Sequence, residues 1–264
     1  MKPLIIAATC FVLAVFVFSA GTIRIAAGAS ATDEADEILL RYAKIVGGRA
    51  DLDRLETMVV KATYFYPQKG DGYEAMFYWK RPNLTRAEFR QKPLQVMGYD
   101  GEKAWVASLD PDTKAVLKSA DMPEASPLAV NFKRSPGFES LIGVPPFDYK
   151  KLGITAVVAG MEMVDGAKAQ KIRLTWPDGH EKNLCFDADN GYLVFEDQKD
   201  SKGLVHTSSF SDYRAMGGLF VPCFRLNKGP LVNGEQIVVQ QKIVELKMNE
   251  PLADTLFIRP ETKK

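Results

Sequence analysis

The sequence lacks the short motifs that mark most catalytic sites and metal centres. It has only two histidines, His180 and His206, and no H-E-x-x-H or Cys-x-x-Cys spacing, so a zinc site would lack ligands. It also contains no G-x-S-x-G elbow, no G-x-G-x-x-G sequence and no P-loop. These absences argue against a zinc enzyme, a serine hydrolase and a nucleotide-binding enzyme. We therefore expect a protein that is not an enzyme, with no metal or cofactor and with both histidines on its surface.

Neither sign of charge is in excess. The 34 basic and 33 acidic residues give a net charge of +1. Nucleic-acid binding requires a concentrated basic face, and attachment to anionic lipid by charge alone requires a basic cluster. A nucleic-acid partner and a purely electrostatic membrane attachment are therefore not expected.

The first 31 residues have the pattern of an export signal. Lys2 precedes an apolar run from Leu4 to Phe18, and Ala29-Ser30-Ala31 forms an A-x-A cleavage site. This pattern predicts cleavage after Ala31 and a periplasmic protein. Because the apolar run is close to the length that spans a bilayer, an uncleaved inner-membrane anchor is the alternative. Residues 32–264 are expected to form one domain.

Only two cysteines follow the predicted signal, Cys185 and Cys223. An even number of cysteines in an exported chain suggests a disulfide, whereas two small buried hydrophobic residues are the alternative. About two predicted strands separate the cysteines, and a simple meander would hold them apart. We expect both thiols to be free.

Hydrophobic periodicity predicts a mainly β fold. Residues 33–46 repeat apolar side chains at helical spacing and end at Gly47-Gly48, which predicts one amphipathic helix. From residue 57 the period changes to two, and turn signals such as Asp165-Gly166 separate the apolar runs. The predicted strands are 57–66, 73–81, 84–91, 94–99, 103–109, 155–164, 169–176, 182–186, 192–198, 204–213, 219–227 and 236–248. This layout predicts an antiparallel up-and-down sheet.

The proline-rich region 110–149 interrupts the alternation. A long connection inside a compact domain is usually a lid, a binding loop or a disordered segment. Its content of large apolar residues argues against disorder. We therefore predict an ordered lid with two short helices, near 128–132 and 138–142.

Seven large apolar residues of the first strands and the lid suit a concave sheet whose inner face is dry. They are Phe77, Trp79, Phe89, Trp105, Phe132, Phe138 and Leu141. Each of them alone fits an ordinary β core, but pockets for lipid-sized ligands are lined in this way. We predict that the set lines an apolar cavity.

Arg81 shares the predicted face of Phe77 and Trp79, at the end of its strand. One interpretation is a guanidinium that extends from the barrel rim into water. The other is a latch whose five donors hydrogen-bond carbonyl groups of the lid.

Two stretches of the N-terminal half resemble the periplasmic lipoprotein-sorting carriers of the LolA/LolB-like superfamily. They are Trp79-Lys80-Arg81-Pro82-Asn83-Leu84 and Tyr99-Asp100-Gly101-Glu102-Lys103-Ala104-Trp105. Weaker similarities follow in the same order, among them Ser211-Asp212-Tyr213-Arg214 and Met248-Asn249-Glu250-Pro251-Leu252. The chain departs from the soluble carrier in its longer C-terminal half, and from the anchored acceptor in lacking a clear lipobox.

The resemblance implies a half-open antiparallel β-barrel of about 11–12 strands, with an N-terminal helix and a helical lid. Arg81 matches the family arginine that latches the lid through hydrogen bonds to its backbone. The implied function is a monomeric, non-enzymatic carrier that binds acyl chains of lipoproteins, or a related lipid, for delivery to the outer membrane. The implied partners are that cargo, an inner-membrane donor complex and an outer-membrane acceptor. The alternative is a periplasmic module that senses lipid or lipoprotein in envelope-stress signalling.

The export pattern makes a direct prediction about the mature N-terminus. N-terminal sequencing of the protein from its own cells should begin at Thr32. A sequence that begins at Met1, recovered from a membrane fraction, would contradict cleavage and favour the anchored form.

Overall fold

The computed structural model describes residues 31–126, 129–130, 132, 138–200, 202–230 and 234–261. The predicted signal peptide lies outside these residues, apart from Ala31. The helices are α1 (Ala31–Val46), α2 (Arg49–Asp53) and α3 (Glu139–Ile142), and a 3-10 turn follows at Asp254–Leu256. The strands are β1 (Thr57–Tyr66), β2 (Asp71–Lys80), β3 (Leu84–Phe89), β4 (Leu94–Tyr99), β5 (Ala104–Leu109), β6 (Val116–Asp121), β7 (Thr155–Val164), β8 (Ala167–Thr175), β9 (Glu181–Asp187), β10 (Leu193–Lys199), β11 (Val205–Met216), β12 (Leu219–Pro230) and β13 (Gln236–Met248).

The strands form one antiparallel sheet in the order β6-β5-β4-β3-β2-β1-β13-β12-β11-β10-β9-β8-β7. Two meanders, β1–β6 and β7–β13, therefore meet at the pairing of β1 with β13, where Met58 lies opposite Met248. A single meander would have placed β6 beside β7. Instead these two strands are the edges of an open sheet, which confirms the predicted half-open barrel and corrects its strand order.

One strand, β6, lies inside the region predicted as a lid. It pairs with β5, and its side chains are mostly exposed or half-buried on both faces. An edge strand without a buried face carries no alternation of apolar and polar residues, so periodicity does not reveal it. The connection that follows, residues 122–154, must lead from one edge of the open sheet to the other.

Helix α1 packs on the concave face of the sheet. Its buried stripe is Ala35, Ile38, Leu39, Tyr42, Ala43 and Val46, and all of these except Ala43 belong to the main core. Full burial of each larger aliphatic side chain contributes about 1.5–3 kcal/mol. The helix ends where Gly48 adopts a φ of +82° and donates its N–H to the carbonyl of Ala43. No helix among the described residues is long and apolar enough to cross a membrane.

Both cysteines are free, as the sequence analysis predicts. Two strands, β10 and β11, separate the strand of Cys185 from the strand of Cys223. The neighbours of Cys185 in β9 point into the main core, so its own side chain lies on the opposite face, 3.7 Å from Glu162 Oε2. Cys223 belongs to the core, with its sulfur 3.4 Å from Met216 Sδ. Opposite faces and non-adjacent strands both prevent a disulfide.

Burial also protects the two thiols from reaction. It raises the pKa of Cys185 to about 12, helped by the negative charge of Glu162, and it raises the pKa of Cys223. Since the thiolate is the reactive form, we expect slow alkylation of both cysteines in native protein at pH 8 and rapid alkylation after denaturation without reductant. Peptide mapping by mass spectrometry checks this, and a Cys185–Cys223 cross-linked peptide would contradict it.

Candidate functional site

A cavity of about 640 Å³ lies between the concave face of the sheet and the connection that follows β6. This volume is within the range of about 300–1,000 Å³ that is typical of small-molecule sites. Its wall has two parts of different chemistry, one apolar and one polar.

The apolar part of the wall joins the sheet to the covering connection. Trp79 of β2 is almost fully buried, and its ring meets that of Phe138 edge to face, with centroids 5.4 Å apart. The described side chain of Phe132 also borders the cavity and stacks on Tyr99. Further apolar lining comes from Leu52, Val144, Pro145, Pro146, Phe147, Leu152, Trp176, Ile237 and Val239. Three of the seven residues predicted from sequence, Trp79, Phe132 and Phe138, thus border the cavity.

Phe77 and Phe89 share the concave face with Trp79 but do not border the cavity. Their rings lie edge to face at 5.9 Å, and Tyr64 and Tyr73 complete the cluster. All four side chains are half-buried, and their rings pack against one another outside the lining of the cavity. The side chain of Leu141 lies outside the described residues.

Trp105 lies on the opposite face of the sheet, which corrects its predicted place in the cavity. The residue opposite Trp79 in β3 is Thr85, whereas Trp105 lies opposite Gly98 in β4. Its Nε1 donates to the carbonyl of Phe257 at 2.9 Å, and Arg86 lies over its ring. The C-terminal segment therefore covers Trp105.

Arg81 lies at the cavity mouth, but its partners differ from the predicted ones. Its Nε and Nη2 donate to the carbonyl of Leu55 at 3.0 and 2.7 Å, and Nη2 donates to the carbonyl of Asp53 at 3.1 Å. Asp53 is the last residue of α2 and Leu55 lies in the link between α2 and β1, so neither carbonyl belongs to the region 110–149. The pairing of β1 with β2 brings Arg81 beside this link. Arg81 thus clamps the junction of α2 with β1.

The covering connection is fastened to α1 through one carboxylate. Asp36 accepts hydrogen bonds from the Tyr149 hydroxyl and the Lys150 ammonium group. Burial alone would raise the pKa of Asp36, but these two donors outweigh it and hold the pKa below its usual value. The carboxylate is therefore ionised near neutral pH, and the end of the connection is fixed to the helix.

The polar part of the wall comes from β9–β12 and was not predicted from sequence. Neighbouring strands place Glu196, Ser208 and Asn227 side by side on the concave face. Lys182 Nζ lies 3.4 Å from Glu196 Oε2, and the Ser208 hydroxyl donates to Asn227 Oδ1 at 2.9 Å. Burial alone would raise the pKa of Glu196, but Lys182 and Arg225 hold it below its usual value.

Both histidines border the cavity as well, and both remain partly exposed, as expected of surface residues. His206 Nε2 lies 3.3 Å from Asp200 Oδ2, and His180 Nε2 lies 3.3 Å from Gln198 Oε1. Polar residues in a strand normally point to solvent, so their polarity does not predict a place on the inner face. One signal could have found these residues. Residues two positions apart in a strand share a face, so a polar residue such as Ser208, two positions before the core residue Phe210, points to the inner face.

Comparison with known proteins identifies the fold. No protein-family model and no curated protein sequence matches the chain. A DUF1329 family protein from Desulfovibrio piger superposes with a TM-score of 0.59 at 14% identity, covering 87% of this chain and 98% of that one. A LolA superfamily protein from Nitrosomonas europaea gives 0.57 at 14% identity, with 85% and 97% covered. The chain has a LolA-like fold.

A third LolA-like structure agrees. It is a domain from Vibrio parahaemolyticus named for outer-membrane lipoprotein sorting, with a TM-score of 0.53, 10% identity, and 86% and 97% of the chains covered. At these identities the likeness establishes the fold. The resemblance seen in the sequence is thereby confirmed at the level of architecture.

The clamp at Arg81 predicts a local effect of its removal. Arg81→Leu should speed amide hydrogen exchange in α2 and at Leu55, because three hydrogen bonds to their carbonyls are lost. Hydrogen bonds to charged groups contribute about 1.5–3 kcal/mol, and for a side chain 40% exposed we expect a total loss of about 1–2 kcal/mol. Arg81→Lys should behave similarly, because one ammonium group lacks the fork that reaches both carbonyls.

Arg90→Leu is the matched control, since Arg90 is exposed and pairs with Glu74 away from α2. It should leave exchange in α2 unchanged. If the Arg81 variants instead show faster amide exchange in residues 138–149 and unchanged exchange in α2, the predicted role of Arg81 as a lid latch would be supported.

Proposed function

We propose that this protein is a periplasmic, non-enzymatic carrier that binds the acyl chain of a lipoprotein or a related lipid in the half-barrel cavity and delivers it to the outer membrane. The apolar wall built by Trp79, Phe138 and Trp176 carries this proposal. The LolA-like fold supports it, because one structure with this fold is named for lipoprotein sorting.

The driving force comes from apolar transfer. An acyl chain contributes about 0.8 kcal/mol for each methylene taken from water, so about fourteen methylenes supply roughly 10 kcal/mol before ordering costs. Binding of this strength needs a dry wall and no bond-making chemistry. The aromatic rings provide that wall, and the two-part cavity suits a ligand with both an apolar chain and a polar end.

Release requires the covering connection to move. The sheet is held by strand pairing, whereas the end of the connection is fastened to α1 through the contacts of Asp36 with Tyr149 and Lys150. In this proposal a donor complex loads the cavity, and contact with an acceptor at the outer membrane loosens the connection.

The three tryptophans test the site directly. Trp79 and Trp176 border the cavity, and Trp105 lies on the other face of the sheet. A fatty acid brominated along its chain quenches only the tryptophans that it touches. The fluorescence of Trp105→Phe, which keeps both cavity tryptophans, should be strongly quenched. The fluorescence of the Trp79→Phe/Trp176→Phe double variant, which keeps only Trp105, should be almost unchanged.

Equal quenching of both variants would place the lipid outside the cavity and contradict the proposal. A second measurement separates the carrier from the sensor: protein loaded with the brominated lipid is mixed with lipid vesicles. Recovery of tryptophan fluorescence, which reports transfer, is expected of a carrier. Persistent quenching would favour the sensing module.

A further inference from the structure

A cationic side chain on the cavity wall makes no close ion pair with the residues that the structure describes. Its charge helps to lower the pKa of Glu196, but that carboxylate lies nearer to Lys182, at 3.4 Å. Arg225 of β12 points to the concave face, where its guanidinium lies 4.9 Å from the ring centroid of Phe210. The same group lies so close to Gly143 that a Cβ there would meet Arg225 Nη2 at 1.5 Å. Among the residues that the structure describes, the guanidinium has no hydrogen-bond acceptor and no ion-pair partner. A partly buried guanidinium carries five donors and normally finds acceptors for them.

The side chains around Arg225 form a patch with spare positive charge. Along the sheet, Arg225 and Lys182 supply two cations, and Glu196 supplies one carboxylate, which pairs with Lys182 at 3.4 Å. Ser208 and Asn227 lie between them and add neutral hydrogen-bonding groups.

Three other carboxylates border the cavity from elements outside the sheet. Asp53, Glu139 and Asp148 belong to α2 and the covering connection. Asp200 borders the sheet patch near His206 and has its own contacts with that ring and with the Leu204 N–H. Among the partly buried groups on the sheet side, the cations therefore outnumber the carboxylate by one. Lys228, which is exposed, also borders the cavity and adds a further positive charge.

The arrangement has the chemistry of an anion site at one end of an apolar pocket. A guanidinium recognises oxyanions in a two-pronged geometry, and such charge-assisted hydrogen bonds are stronger than neutral ones. A single spare charge matches a single negative charge, because burying a further unpaired charge is costly. The apolar wall at Trp79 and Phe138 continues into this patch within the same cavity.

We infer that Arg225 and its neighbours bind a monoanionic headgroup, a carboxylate or a phosphodiester, at the polar end of the amphiphile held in the cavity. This inference rests on the proposed carrier function and adds the class of headgroup to it. Arg225 is then a specificity-determining residue, whereas the aromatic wall holds any chain of suitable length.

The test compares ligands that share one chain and differ in the headgroup. Delipidated protein is titrated by calorimetry at pH 8 with dodecanoate, with dodecanoyl lysophosphatidylglycerol and with the uncharged monododecanoylglycerol. We expect at least one anion to bind about tenfold more tightly than the neutral ligand. The better anion identifies the headgroup as a fatty acid or a phospholipid.

The variants assign the preference to Arg225. Arg225→Gln should remove the preference for anions. The anionic ligand should bind about tenfold more weakly than to wild type, and the neutral ligand should bind equally well. Arg225→Lys should retain part of the preference and, if the glutamine variant does not fold, supplies the comparison. Arg214→Gln is the control, since Arg214 is exposed and pairs with Asp212, and it should bind like wild type.

Equal binding of all three ligands by wild type would overturn the anion site and leave the carrier function standing. A uniform loss of all ligands in Arg225→Gln would also overturn it, by showing a structural role. Absence of any binding would refute the carrier function, and the headgroup site with it.

Discussion

The pairing of β1 with β13 is the constraint on which the rest of the structure depends. It joins two meanders into one sheet and leaves β6 and β7 as distant edges. Because the chain must pass from one edge to the other, residues 122–154 connect the two edges, and their described parts, such as Phe132, Phe138 and Phe147, face the concave side of the sheet. A half-barrel with its own cover follows from this topology, and the cavity is the space that sheet, helix and cover do not fill.

The elements around the cavity are held by different kinds of interaction. The sheet is held by backbone pairing, and α1 by its apolar stripe. The described parts of the cover have no strand pairing. They place Phe138, Ile142, Val144 and Tyr149 in the main core, and Tyr149 and Lys150 hydrogen-bond Asp36 of α1. Loops and short helices outside a strand ladder open at lower free energy than the paired strands of a domain. This difference in strength is what a carrier requires, since the cover must move while the sheet stays intact.

Much of the fold is readable from the sequence because most strands have one buried face. Alternation located twelve of the thirteen strands within a few residues, and it missed β6, which has no buried face. The order of the strands was not readable, since the β1–β13 pairing joins segments almost 200 residues apart. The same limit explains why Trp105 was wrongly placed in the cavity. Alternation shows which residues of one strand share a face, but only the register between strands shows which of the two faces is concave.

The sequence predicts part of the apolar wall of the site and misses its polar wall, for a related physical reason. Large apolar residues such as Trp79 and Phe138 stand out in the sequence wherever they lie. Polar residues on an inner face, such as Lys182 and Arg225, look like residues that face solvent. The acceptors of Arg81 were also hidden, because they are backbone carbonyls that only the fold brings near.

Lipid carriage is tested most directly by native mass spectrometry of the protein purified without detergent from the cells that make it. We expect a protein carrying one non-covalent acylated ligand with an anionic headgroup. We also expect loss of that ligand when Phe138→Asp places a charge in the apolar wall. Protein that carries no ligand, and takes none up from a total lipid extract, would show that the cavity is not a lipid site.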